Sequence, residues 1–209
     1  PDGVDLAQFD ISKSQAECRK TLGLPQEKKI ILYAGHLYSW KGAQTLAEAS
    51  EHFPGNELAV FVGGTDSDVK AFKDKNKGKK NILVFGHRPH AEMPFFLKAA
   101  DILVLPNSAK SDMSRLFTSP MKLFEYLSAQ RPIIASDLPS LREILDENTS
   151  VFFEPDNALD LASKIGNLLE DEKAAKKISD NAYQIAKRYT WNNRAENIIK
   201  FINSIDYVQ

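Results

Sequence analysis

The stretch from Phe117 to Asp137 (Phe-Thr-Ser-Pro-Met-Lys-Leu-Phe-Glu-Tyr-Leu-Ser-Ala-Gln-Arg-Pro-Ile-Ile-Ala-Ser-Asp) carries the residues best suited to chemistry. Ser119 has the type of a helix N-cap and Pro120 suits the first helical position, so a helix is expected to start there. The free N–H groups of such a start, in the segment Ser119, Pro120, Met121 and Lys122 (Pro120 itself has none), form a ready anion site with the positive end of the helix dipole. Lys122 lies in that first turn, where a cation opposes the dipole by about 0.3–1 kcal/mol. A bound anion would outweigh this penalty. Glu125 follows three residues later on the same helical face. An anion at the helix end and a carboxylate one turn in suit a phosphorylated sugar or a nucleotide.

The elements that must position these residues read as alternating strands and helices. Apolar runs at Lys29–Ala34, Leu58–Val62, Ile82–Phe85, Ile102–Leu105, Pro132–Ala135 and Ser150–Phe153 predict six strands. Helical patterns fall near 41–52, 66–75, 91–100, 120–129 and 139–146. The strands are apolar throughout rather than alternating, as when both faces are covered. The expected fold is α/β: a Rossmann-like, doubly wound, six-stranded parallel sheet with helices on both faces, in the order 3-2-1-4-5-6. After residue 158 come three consecutive helical stripes, ending in Ala195, Ile198, Ile199, Ile202 and Ile205, expected to face the core first and a partner only second. In this strand order the loops after strands 1 and 4 flank the ligand crevice.

Those two loops, with the turns after strands 2 and 3, carry the remaining candidates. After strand 1, Gly35 and Gly42 bracket a loop in which Lys41, opening a helix, can meet a diphosphate as a point charge. The plainer alternative is a turn with an exposed lysine. The loop is neither a Walker A nor a Gly-x-Gly-x-x-Gly pattern. His36 is a candidate phosphate or acid/base contact resting on one histidine in a turn. Gly63-Gly64 is explained equally by a turn, and Gly86-His87-Arg88 offers a backbone against which a base can lie. The long loop after strand 4 runs from Pro106 through Asn107, Lys110, Asp112, Arg115 and Thr118. The histidines (His36, His52, His87, His90) and Cys18 lack metal-ligand spacing, and no Gly-x-Ser-x-Gly elbow occurs. Ser140 and Glu143 read as a capping box behind Pro139.

Composition narrows the classes. The chain has 209 residues, 43% hydrophobic and 26% charged, with a net charge of −1, which argues against a general nucleic-acid binder. The basic run Lys70–Lys80 reads as a solvated helix end and turn. A single cysteine excludes an internal disulfide framework and fits a reducing, cytoplasmic setting. No apolar run is long enough to span a bilayer, and no signal-peptide pattern opens the chain. The opening Pro-Asp-Gly-Val-Asp, without Met, reads as a cut from something longer.

In order, Gly35…Lys41-Gly42, Gly63-Gly64, Phe85-Gly86, Ala100-Asp101-Ile102…Pro106 and Ser119-Pro120…Glu125…Pro132-Ile133-Ile134-Ala135-Ser136-Asp137 resemble the C-terminal half of retaining GT-B glycosyltransferases. The likeness is to the group-1, or fourth, glycosyltransferase family, and runs from Pro1 to about Phe201. The opening pentapeptide resembles that family's Pro-Asn-Gly-Val-Asp connector. The resemblance implies that Lys41 contacts the donor diphosphate, that the amides of Ser119–Lys122 cradle phosphates, that Glu125 binds the ribose hydroxyls, and that Gly86–Arg88 lies near the base. It also implies no metal or other cofactor. Two positions depart from the family pattern: Phe117 stands where a glutamate is usual, and His36 where an arginine is usual. In this variant charge from Lys122 would replace part of what is missing, and Asp112 or Arg115 would reach the sugar.

The expectation is therefore a single nucleotide-sugar-binding domain over residues 1–209, whose N-terminal acceptor domain is absent and would make any peripheral membrane contact. Lys41 and Lys122 would stabilise the leaving diphosphate. Two rivals share the fold: a noncatalytic nucleotide-sugar-binding module, and a sugar-nucleotide epimerase.

Overall fold

The computed structural model describes residues 2–205, so Pro1 of the connector motif lies outside the described residues. Two short helices, α1 (Leu6–Phe9) and α2 (Gln15–Leu22), precede the first strand. Then follow β1 (Lys29–Ala34), α3 (Ala43–Ala49), β2 (Glu57–Val62), α4 (Asp66–Lys75), β3 (Ile82–Gly86), α5 (Met93–Ala99), β4 (Ile102–Leu105), α6 (Met121–Ser128), β5 (Ile133–Ser136), α7 (Pro139–Arg142) and β6 (Val151–Phe153). The chain continues into α8 (Ala158–Glu170), α9 (Glu172–Ala186) and α10 (Trp191–Ile205). The sheet order is β3-β2-β1-β4-β5-β6, all parallel, as expected from the βα alternation.

Both faces of the sheet are buried, and alternate residues of each strand serve different cores. Ile30 and Leu32 of β1 join Leu103, Ile133, Phe96 of α5 and Leu123 and Phe124 of α6. Ile31 and Tyr33 point the other way, to Val104, Ile134, Leu46 of α3, Phe72 of α4 and Leu161 and Ile165 of α8. This double burial makes the central strands apolar throughout. Cys18 is a buried free thiol packed in the first core, and no helix among the described residues is long and apolar enough to cross a membrane.

Three local expectations need correction. The helix expected from Pro120 begins at Met121, and Pro120 itself is the N-cap, in extended backbone without a side-chain capping bond. Proline disfavours helical backbone in the residue before it, which keeps Ser119 outside the helix. The predicted capping box of α7 does not form: Pro139 opens the helix as expected, but the N-cap is Leu138 and the Ser140 hydroxyl donates to the Ser114 carbonyl at 2.7 Å. Finally, α10 buries none of its residues, and Ile199 is 56% exposed. Its apolar stripe has the expected period but does not meet the core.

Candidate functional site

The loops after β1 and β4 cross directly over the switch point. At Gly42 the backbone has φ +72° and an added Cβ would lie 1.6 Å from the Pro106 carbonyl oxygen. Nearby, the Ser108 N–H donates to the Trp40 carbonyl at 3.0 Å. Glycine is required there because a β-carbon would push the two loops apart. Beyond this crossing the β4 loop makes one π-helical turn, Met113–Phe117, before α6 starts.

Lys122 is the centre of the site. Its Nζ is buried without a hydrogen-bond partner among the described residues, 4.2 Å above the Tyr33 ring centroid. Its side chain also runs beside Gly35, where an added Cβ would approach Lys122 Cδ at 3.7 Å. The lysine thus reaches from the first turn of α6 under the end of β1. Burial first, and then the nearby Lys41 charge, hold its ammonium well below the ordinary lysine range, while Glu125 acts in the opposite direction. Lys41 is half-buried with Nζ 4.0 Å from the Trp40 ring centroid, and its pKa is lowered by desolvation. Cation–π contact offsets part of the desolvation cost of both amines but pairs neither with an anion.

Glu125 faces the same end of α6 from the other side. Its Oε1 lies 2.9 Å from His90 Nε2, and His90 Nδ1 lies 3.0 Å from Gln8 Nε2. One residue further on, the Tyr126 hydroxyl accepts from the Ala34 N–H at 2.7 Å, tying α6 to the end of β1. Lys122 and Glu125 therefore stand on a helix fixed to the central strand. Asn107 and Ser136, at the ends of β4 and β5, are fully buried with side-chain polar atoms lacking partners among the described residues. Such atoms are costly unless something hydrogen-bonds to them.

The structure brings together Gly35, Lys41, Pro120, Met121, Lys122 and Glu125 at the carboxyl ends of β1 and β4. Ser119 precedes the Pro120 cap. His36 is exposed and stacked on Tyr38 at 4.9 Å between ring centroids, and its carbonyl accepts from the Tyr33 hydroxyl. Gly86 ends β3, with His87 exposed and Arg88 over the Phe85 ring. Asp112 and Arg115 pair with each other at 2.8 Å on the surface. His90 and Gln8 were not foreseen. Metal-ligand spacing, the test applied to the histidines, is blind to a pair on separate elements. Asn107 and Ser136 carry a usable signal, as polar residues at or just past the ends of two apolar strands.

Comparison with known proteins agrees with this architecture. The family described as glycosyl transferases group 1 matches residues 14–185. The protein provisionally named teichuronic acid biosynthesis glycosyltransferase TuaC, from Bacillus subtilis, is 28% identical over 185 residues, covering 88% of this chain and 44% of its own length. The D-inositol 3-phosphate glycosyltransferase of Xylanimonas cellulosilytica is 25% identical over 207 residues, covering 93% and 48%. Among solved structures, Anabaena HepE in complex with UDP and glucose superposes with TM-score 0.82 at 21% identity, covering 97% of this chain and 55% of its own. At that identity the likeness speaks for the fold. The chain spans about half the length of the curated relatives it matches.

Proposed function

The chain belongs to the glycosyl transferases group 1 family, and from that premise we propose that it is the donor-binding half of a retaining, metal-independent glycosyltransferase acting in the cytoplasm. It binds a nucleoside-diphosphate sugar in the crevice between the β1 and β4 loops. The observation that carries this reading is the buried, unpaired Lys122 amine beside Lys41. A buried lysine amine with no hydrogen-bond partner among the described residues, beside a second lysine, is held at a cost that a diphosphate would reverse.

Each group then has a task. The N–H groups at the start of α6 and the amines of Lys41 and Lys122 hold the diphosphate. Their attraction strengthens as the sugar leaves and negative charge builds on the departing phosphate oxygen, and that strengthening is what accelerates transfer. Glu125 accepts from the ribose hydroxyls, and the Gly86–Arg88 backbone borders the base. The acceptor site belongs to a further half of the protein. Support for that half comes from α10, whose Ile198, Ile199, Ile202 and Ile205 are exposed, and from the greater length of the relatives.

A panel of UDP-, GDP-, ADP- and CMP-sugars in a thermal-shift assay tests the reading. A ligand at a hundred times its dissociation constant should stabilise the fold by about 2.7 kcal/mol. No shift with any member would remove the donor-site assignment. One observation favours a second reading, a nucleotide-sugar-binding module without transfer: Phe117, where the family pattern has a carboxylate, is 72% exposed. Donor binding without transfer in a protein carrying both halves would select it.

A further inference from the structure

We propose that His90 is a positioning residue for Glu125, and that Gln8, His90 and Glu125 form a relay turning the carboxylate toward the ribose diol of a bound nucleotide; this rests on the nucleotide-binding reading above. The relay joins three separate elements: Gln8 on α1, His90 just ahead of α5, and Glu125 on α6. The Gln8 side-chain nitrogen is a donor only, so at 3.0 Å it donates a hydrogen bond to His90 Nδ1. A neutral imidazole that accepts at Nδ1 carries its own proton on Nε2, which points at Glu125 Oε1 at 2.9 Å. In the imidazolium form Gln8 would turn its oxygen to Nδ1–H, and Nε2–H would still donate. In both states His90 is the donor to Glu125.

The carboxylate needs such a donor. A glutamate has freely rotating torsions, and binding both hydroxyls of a vicinal diol requires one orientation. His90 occupies one lone-pair direction of Oε1 and leaves Oε2 for the diol. The Glu125 side chain is 15% exposed, so the bond is partly sheltered from water, and the Phe9 edge packs against the His90 ring. A lone exposed histidine–glutamate pair would contribute little to stability. The ordering of Glu125 is where its effect should appear.

The test is calorimetry on the 209-residue chain with UDP, GDP and ADP, each beside its 2′,3′-dideoxy counterpart. His90→Phe retains the ring against Phe9 and removes both nitrogens, while His90→Gln restores one N–H donor. His90→Phe should weaken the ribonucleotide about five- to tenfold and leave the dideoxy form unchanged. His90→Gln should recover most of the loss. In a Glu125→Ala background His90→Phe should have no further effect. Wild-type affinity in His90→Phe, or an equal loss for ribo and dideoxy forms, would overturn the positioning role while leaving the nucleotide site intact. If the wild-type chain binds none of the three diphosphates, the nucleotide reading falls and the role of His90 with it. Imidazole 15N shifts give a readout free of nucleotide: the neutral ring should be protonated at Nε2, and protonation at Nδ1 would refute the relay.

Discussion

The two ends of the sheet treat buried charge in opposite ways. At the amino end, Arg19 of α2 donates to Asp101 Oδ2 at 2.6 Å and to the carbonyls of Ala99, Gln26 and Lys28. Asp101 also accepts from the Ile30 N–H at 2.6 Å, joining β1 and β4 from below. At the carboxyl end, Lys122 Nζ and the side-chain polar atoms of Asn107 and Ser136 are buried without partners among the described residues. One end uses its charge to close the fold. The other holds a buried amine and polar groups that no described residue satisfies. Such groups are costly to bury, which is why the proposed donor site is placed there.

Three substitutions can break or sharpen this contrast. The largest effect should come from Arg19→Leu, which removes the cation from Asp101 and a donor from three carbonyls. It should cost about 3–5 kcal/mol in urea unfolding and leave nucleotide affinity of the folded fraction unchanged. Next is Gly42→Ala, which sets a β-carbon against the Pro106 carbonyl in left-handed backbone. A loss of about 1–3 kcal/mol is expected, together with weaker nucleotide binding, because the crossing loops frame the crevice. A change in stability alone would detach the crossing from the site.

Lys122→Met should give the smallest change, with the opposite sign. Folding should gain about 1 kcal/mol at neutral pH while diphosphate binding drops at least about tenfold. The pH dependence follows from proton counting. The unfolded chain keeps the Lys122 proton up to its ordinary value near 10.5, and the folded chain releases it at a lower pH. Between the two the unfolded state binds more protons, so wild-type stability rises with pH relative to Lys122→Met. Equal slopes for the two proteins in urea titrations at several pH values would show that Lys122 is not held neutral by the fold.

The sheet was readable because double burial writes itself into the strands: residues such as Ile30, Ile31, Leu32 and Tyr33 leave no polar face to expose. The strand order followed from the βα alternation. The fate of α10 was not readable, since an apolar stripe states that a helix has a face to cover and says nothing of what covers it. Ser119 was misplaced by one position: its type argued for a cap, but Pro120 is itself the extended N-cap, and proline disfavours helical backbone in the residue before it. The positions of Lys122 and Glu125 on α6 were legible from spacing. That Lys122 turns inward over Tyr33, and that Glu125 meets His90, depends on packing between elements distant in sequence.

The crossing of Gly42 over Pro106 also limits how this domain can be rebuilt. Because the two loops share one backbone contact, with Ser108 bonded to Trp40 beside it, neither is an independent module. A graft that replaces the β4 loop alone must reproduce the path of Pro106 to within a few tenths of an ångström or lose the β1 loop with it. Changes of specificity, whether by design or by drift, should therefore be inherited as paired loops, with variation concentrated beyond the Ser108–Trp40 bond.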